Sequence, residues 1–130
     1  MKKLYTFTFI ILTAVSYSQA DCSKFRSGTF KFTDPDSKKV CIINRDGDTQ
    51  TERVENSEEI YEFSVTWTDS CTYTISPTSS TIQKKPEVLK LGTMTVKITP
   101  VTDTTYVQHI RVANSPKFKR RDEVVVVPDL

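Results

Sequence analysis

Three cysteines and a single histidine are the side chains in this chain of 130 residues best suited to redox, metal or nucleophilic chemistry. Cys22, Cys41 and Cys71 allow three alternative disulfides, each leaving one cysteine over; the other reading makes all three small core residues. A zinc site is disfavoured because no C-x-x-C spacing occurs and His109 is the only further soft ligand. The sequence therefore predicts neither a metal nor any other cofactor.

Nucleophilic catalysis needs a nucleophile, a base and an orienting group in one place. His109 shares its strand phase with Val107 and Arg111, opposite to Ile110 and Val112, so we expect it to point outward. No G-x-S-x-G elbow, phosphate-binding glycine loop or H-E-x-x-H pair occurs, and the chain has only three glycines. The sequence predicts that the protein is not an enzyme.

Neighbouring carboxylates occur at Glu58-Glu59 and at Asp122-Glu123. A glycosidase needs two such groups facing each other across a cleft, whereas adjacent residues of a strand point to opposite faces. These two pairs are therefore predicted to be surface charge.

A basic cluster near the C-terminus offers the other functional possibility, nucleic-acid binding with aromatic rings for base stacking. Its residues are Lys117, Lys119, Arg120 and Arg121, with Phe118 and Tyr106 as the rings. Without the first twenty residues, however, the charge is 18 − 2 = 16 basic against 16 acidic residues, or zero. This balance favours neither nucleic acid nor an anionic membrane surface.

The first twenty residues resemble a cleavable secretory signal peptide. Lys2 and Lys3 precede an uncharged apolar stretch from Leu4 to Val15, and Ser18-Gln19-Ala20 has the small-x-small pattern of a cleavage site. The apolar stretch is too short to span a bilayer, so we expect no integral membrane association. The sequence predicts a periplasmic or secreted protein whose residues 21–130 form a single β domain of 130 − 20 = 110 residues.

Alternation with a period of two dominates the remainder of the chain, and its clearest instance is a hairpin around Trp67. In Tyr61–Trp67 every odd position is large and apolar, and Cys71–Ser76 repeats the pattern. A loop over residues 68–70 would set Trp67 opposite Cys71 while keeping both apolar sets on one face.

A second hairpin follows the same logic nearer the C-terminus. With Thr102-Asp103-Thr104 as its loop, Val96 lies opposite Ile110 and Met94 lies opposite Val112. These pairs bring apolar side chains together on one face of the sheet.

Eight strands are predicted in all: Thr29–Phe32, Val40–Ile43, Thr49–Val54, Tyr61–Trp67, Cys71–Ser76, Thr93–Thr99, Thr105–Ala113 and Phe118–Val127. Only residues 77–92 form a long connection, in which Glu87–Leu91 could make one helical turn. Sequential antiparallel strands with tight turns favour an all-β, up-and-down, eight-stranded barrel; a two-sheet β-sandwich is the alternative. Because Val124–Val127 would aggregate on an open edge, we expect these valines to pair with the first strand at the closure.

The entry to the first strand, Ser27-Gly28-Thr29-Phe30, resembles the G-x-W opening of lipocalins and fatty-acid-binding proteins, with Phe30 in place of the tryptophan. More broadly, the chain resembles small exported bacterial lipocalin-like, calycin-type β-barrel proteins of unassigned function. The resemblance lies in the signal peptide, the opening D-C-S-K-F-R-S-G-T-F, and the hairpins containing I-I-N-R-D-G and V-T-W-T-D-S-C-T-Y-T-I. The resemblance implies that Phe30 closes one barrel end beneath a basic residue, for which Arg120 or Arg121 is the expected cation.

The barrel geometry ranks Cys22 with Cys71 first among the disulfides. Cys71 lies on the inward phase at a strand start, and Cys22 precedes the first strand, where the N-terminus could fold across the barrel end. Cys41 would then be a buried thiol.

Two non-enzymatic functions follow from this architecture. The first is binding of a small apolar molecule by an interior lined by Phe32, Tyr61, Phe63, Val65, Trp67, Tyr73, Ile75, Val96 and Ile110. The second is an extracytoplasmic interaction or structural module in which the same side chains fill a solid core, its protein partner unknown. A cavity of a few hundred cubic ångströms would favour the first.

Overall fold

The computed structural model describes residues 21–128, which form a closed antiparallel barrel. The predicted signal peptide, residues 1–20, lies outside the described residues. The strands are β1 (Ser27–Thr33), β2 (Val40–Asp46), β3 (Thr49–Val54), β4 (Tyr61–Trp67), β5 (Thr72–Pro77), β6 (Met94–Pro100), β7 (Thr105–Val112) and β8 (Ser115–Val127). All-β class, strand number and up-and-down barrel topology are confirmed.

Each strand pairs with the next in sequence, and β1 pairs with β8 to complete the cylinder. At this closure Thr29, Phe30 and Lys31 lie opposite Val127, Val126 and Val125. The prediction that the valine run pairs with the first strand is thus confirmed. Closure removes the edge on which four consecutive β-branched residues would invite aggregation.

The two predicted hairpins differ in how closely they match the structure. In β6–β7, Met94 lies opposite Val112 and Val96 opposite Ile110, as predicted. In β4–β5 the predicted pairing is wrong by two residues, because Trp67 lies opposite Tyr73 rather than Cys71. Thr68 N donates to Thr72 O, so the loop comprises residues 69–71. A shift of two residues preserves the face of every side chain, which is why the apolar pattern could not distinguish the two registers.

The long connection between β5 and β6 is more helical than predicted. It contains the helix α1 (Ser79–Lys84) followed by a 3-10 helix over Pro86–Leu91. Buried Thr81 attaches α1 to β4, since its Oγ1 accepts from Glu62 N at 2.7 Å and donates to Glu62 O at 2.8 Å. No helix among residues 21–128 is long and apolar enough to span a bilayer.

The two ends of the barrel are built differently. At one end, a 3-10 helix over Ser23–Phe25 crosses the opening and inserts the fully buried Phe25 into the core. At the other end lie α1, the second 3-10 helix and the β7–β8 turn, together with the partly exposed Leu91 and Phe118. We call the part around Phe25 the closed half and the part below Leu91 and Phe118 the open half.

Candidate functional site

The closed half is organised around Arg45, which is 2% exposed and projects from β2 into the barrel. Its Nε donates to Gln50 Oε1 at 2.9 Å, Nη1 donates to Phe25 O at 2.7 Å, and Nη2 donates to Tyr73 Oη at 2.7 Å. Such a buried cation is tolerated because its donors meet acceptors. Burial in turn raises the pKa of Tyr73 and of Tyr106, so both phenols stay protonated.

The Arg45 guanidinium also lies over the Phe30 ring, with its Cζ atom 4.8 Å from the ring centroid. This is the cation–π arrangement that the calycin resemblance implies, but the prediction of Arg120 or Arg121 as the cation is wrong. On β8 it is Val126 that lies opposite Phe30. Arg120, six residues earlier, is about 20 Å away along the strand, and Arg121 is exposed on the outer surface.

Backbone conformation and packing explain why a glycine occupies position 28 of the G-x-F opening. Its φ is +138°, a conformation that L side chains rarely adopt, and a Cβ there would lie 3.4 Å from Cζ of Phe30. The Phe30 ring therefore lies against the backbone of its own strand entry.

A disulfide joins Cys22 to Cys71, as predicted, with Cα atoms 5.2 Å apart. It fastens the segment before the first 3-10 helix to the β4–β5 loop, across the closed end of the barrel. Phe25 then packs on Tyr106, with ring centroids 4.8 Å apart. The cross-link and the aromatic contact hold the N-terminal segment in place as a plug.

A polar relay, by which we mean the hydrogen-bonded series Arg45–Gln50–Glu52, extends from the closed half into the open half. Gln50, which accepts from Arg45, donates through Nε2 to Glu52 Oε1 at 2.8 Å. Glu52 is enclosed by the barrel wall but keeps partial solvent contact. Its burial raises the pKa of the Glu52 carboxyl above its usual value, against the opposing effects of the Gln50 hydrogen bond and the Arg45 charge.

Above this relay the open half contains a cavity of about 300 Å³. One part of its wall is apolar and aromatic, formed by Phe32, Tyr73, Ile75, Leu91, Met94, Val96, Ile110 and Phe118. The other part is polar, formed by Gln50, Glu52, Gln108 and Arg120. The barrel interior is thus filled at one end and amphipathic at the other.

Five of the predicted lining residues meet at this cavity: Phe32, Tyr73, Ile75, Val96 and Ile110. The other four lie elsewhere. Val65 is in the filled core, Phe63 borders a separate pocket of about 70 Å³ below the second 3-10 helix, and Tyr61 lies beneath Lys85. Trp67 belongs to the closed half, where its Nε1 donates to Gly47 O at 3.1 Å and its ring packs on Tyr73.

No family model, curated protein or solved structure matches this chain. Its chemistry must therefore be inferred from the cavity itself.

Asp122 corrects the prediction that both carboxylate pairs are surface charge. It is 3% exposed inside the barrel, where Arg120 Nε donates to Oδ2 at 2.9 Å and Gln108 Nε2 donates to the same oxygen at 3.0 Å. Glu123 next to it is exposed, as are Glu58 and Glu59. Adjacent residues of β8 do point to opposite faces, as the alternation rule requires. One member of the Asp122-Glu123 pair therefore has to face the barrel interior, and it is Asp122.

Arg120 links this pair to the mouth of the cavity. Its Nη1 lies 3.6 Å from Asp34 Oδ2 in the β1–β2 turn, and its Cζ lies 5.4 Å from the centroid of Phe32. Arg120 is therefore neutralised by carboxylates from two directions. Glu52, in contrast, has no ion pair within 4 Å among the described residues.

The remaining reactive side chains do not form a catalytic group with the cavity. Cys41 is half-buried rather than buried, and burial raises the pKa of its thiol. His109 is exposed on the outer face of β7, as predicted. Residues 21–128 contain no group of three or more His, Cys, Asp or Glu side chains arranged to hold a metal.

The polar half of the site was missed by the sequence analysis. Gln50 and Glu52 have the inward phase of β3, and Gln108 has that of Ile110 in β7. Strand parity indicates that all three face inward, but an expectation that the lining is large and apolar leaves inward polar positions out.

Proposed function

We propose that this chain is an exported, lipocalin-like carrier that binds one small amphipathic molecule in the open half of its barrel. The observation that carries the proposal is the cavity of about 300 Å³ above the Gln50–Glu52 relay. That volume is at the lower end of the range for small-molecule sites, and its lining combines an apolar wall with a few polar groups, as such sites do. The disulfide is compatible with an oxidising compartment outside the cytoplasm.

The distribution of charge suggests the ligand's chemistry. The apolar wall would take a hydrocarbon or aromatic body, and Glu52 would accept a hydrogen bond from a hydroxyl or amine group. Arg120 is already paired with Asp122, so a ligand carboxylate would meet the negative side of the cavity without a free cation. We therefore expect a neutral or cationic molecule with a hydrogen-bond donor.

We also propose that the protein acts by binding rather than by catalysis. The cavity lining offers one carboxylate, two amides and a guanidinium, while His109 lies on the outside and Cys41 favours its unreactive thiol form. The solid-core module remains the contrasting function. It is supported by the filled closed half, and it would require that the open half bind nothing.

The test combines native purification with a fluorescent probe. Mature protein purified from its native host is extracted and analysed by mass spectrometry, and the emptied protein is titrated with aminoanthracene, an aromatic body with an amine donor. We expect a co-purifying amphipathic molecule and saturable probe binding that this molecule displaces.

Two variants locate the binding. Ile110→Trp fills the cavity from β7 and should abolish probe binding, whereas Thr66→Trp adds the same ring on the exposed face of β4 and should leave it intact. Absence of both a co-purifying molecule and saturable probe binding would discard the carrier and favour the solid-core module.

A further inference from the structure

The outer surface of β5–β8 carries a groove that shares Ile110 and Arg120 with the cavity lining and is otherwise lined by outward-facing side chains. It measures about 520 Å³ and is lined by threonines and cations, among them Thr72, Thr95, Thr99, Lys97 and Arg111. All five side chains point away from the barrel interior, on the strand phase opposite to Val96 and Ile98 or to Val112. The groove therefore belongs to the protein's exterior.

Two cations of this surface, Lys97 and Arg121, lie on either side of His109 across the strands. Lys97 of β6 lies opposite His109 of β7, which in turn lies opposite Arg121 of β8. Because His109 stands between them, the two cations Lys97 and Arg121 are two strand spacings, or roughly 10 Å, apart. The strand register thus spreads basic side chains across this surface at a spacing that an extended anion can bridge.

Acidic side chains neutralise one cation of the groove lining, Arg120, which pairs with Asp34 and Asp122, but do little for the others. Among the described residues, Lys97, Arg111 and Lys119 have no carboxylate within 4 Å, and Arg121 meets only the exposed Glu123 at 3.8 Å. From residue 21 onward the chain has equal numbers of acidic and basic residues, 16 of each. The basic character of this surface therefore comes from the local placement of cations and not from the net charge of the chain.

An irregularity in β8 shapes one wall of the groove. Ile110 lies opposite Arg120 and Val112 opposite Ser115, so residues 116–119 face the single residue Arg111. Bulges of this kind redirect side chains. Here the bulge brings Phe118 to the cavity lining and Lys119 to the groove lining, which places the two sites on opposite sides of one segment.

From this arrangement we infer that the groove is a binding site for an acidic polysaccharide. Lysine and arginine would pair with its carboxylate or sulfate groups, while the interspersed threonine hydroxyls would exchange hydrogen bonds with its hydroxyl groups. Single-stranded nucleic acid is disfavoured because the groove-lining residues include no Phe, Tyr or Trp on which bases could stack. This inference stands independently of the proposed carrier function, since no ligand of the cavity enters it.

The test measures binding of the full mature protein to immobilised heparin and polygalacturonate, with neutral dextran and oligothymidylate as comparisons. Lys97→Gln/Arg111→Gln removes two cations from the groove. Lys31→Gln/Lys39→Gln removes the same charge from exposed positions on β1 and the β1–β2 turn. We expect salt-dependent binding to at least one acidic polysaccharide, reduced roughly tenfold or more in the groove variant and unchanged in the control.

Three outcomes would overturn the inference. An equal loss in both variants would show nonspecific charge attraction, and tighter binding of oligothymidylate than of either acidic polysaccharide would assign the surface to nucleic acid. Absence of acidic-polysaccharide binding at low salt would remove the site altogether. Circular dichroism of both variants establishes that they are folded.

Discussion

Phe30 and Phe32 lie two residues apart on the same inward face of β1, yet they belong to different environments. Phe30 is fully buried beneath Arg45, against the edge of Tyr106. Phe32 is half-buried, borders the cavity and lies beneath Arg120. The barrel interior is therefore filled at Phe30 and unfilled at Phe32, two residues further along the same strand.

The two halves differ in how their polar groups are satisfied. In the closed half the donors of Arg45 reach Gln50, Phe25 and Tyr73, and no cavity separates them. In the open half Glu52 accepts a hydrogen bond from Gln50, and burial, which disfavours the charged carboxylate, raises the pKa of Glu52. The closed half therefore holds the barrel together by packing and hydrogen bonds, whereas the interior of the open half is left unfilled.

The largest effect is expected from truncating the two phenylalanines separately. Phe30→Ala should lower the free energy of unfolding by about 3–5 kcal/mol, because it leaves a void in a packed core. Phe32→Ala should cost about 1 kcal/mol, because one side of that ring already faces the cavity. Urea denaturation of the two variants measures both values. Equal losses would contradict the division into a filled and an unfilled half.

The disulfide tests whether the closed half depends on its N-terminal plug. Cys22→Ala/Cys71→Ala should lower the free energy of unfolding by about 2–4 kcal/mol, since the bond closes a loop with a sequence separation of 49 residues in the unfolded chain. Cys41→Ala, which removes the unpaired thiol, serves as the control and should shift stability by about 1 kcal/mol or less. If the double variant were as stable as the control, the plug would be dispensable.

The smallest effect is a pH dependence in the open half. A carboxyl whose pKa is raised on folding stabilises the fold below its usual value of 4.5, and that contribution is lost as the pH rises through the folded pKa. Relative to Glu52→Gln, the Tm of the wild type should therefore fall as the pH rises from the usual value of 4.5 through the folded pKa, by on the order of a few degrees.

The matched control is Glu62→Gln, which removes a carboxylate from the exposed face of β4. The difference in Tm between the wild type and each variant is measured as a function of pH. If this difference changed with pH in the same way for both variants, the Glu52 carboxyl would not be destabilised by its position in the barrel.

Local sequence patterns predicted the strands and favoured the barrel, and the tertiary structure decided it against the β-sandwich. Alternation predicted the β4 and β5 faces correctly, because one buried face allows only one parity. Apolar matching with a three-residue loop also predicted the β6–β7 register, although the same reasoning gave a β4–β5 register that is wrong by two residues. The valine run predicted closure with β1, since its exposure on an edge would be unfavourable. The Cys22–Cys71 pairing followed once the N-terminus was placed across the barrel end.

The interior chemistry required the tertiary structure. The alternation of side chains along each strand places Arg45, Glu52 and Asp122 on the inward face. Only the register of neighbouring strands in the closed barrel determines which half of the barrel each one reaches. Arg45, and not Arg120, therefore lies over Phe30. Arg120 is too far from Phe30, because the β8 residue opposite Phe30 is Val126. Sequence alone determined the faces of the strands, whereas their positions along the barrel axis arose from long-range pairing, which no local pattern records.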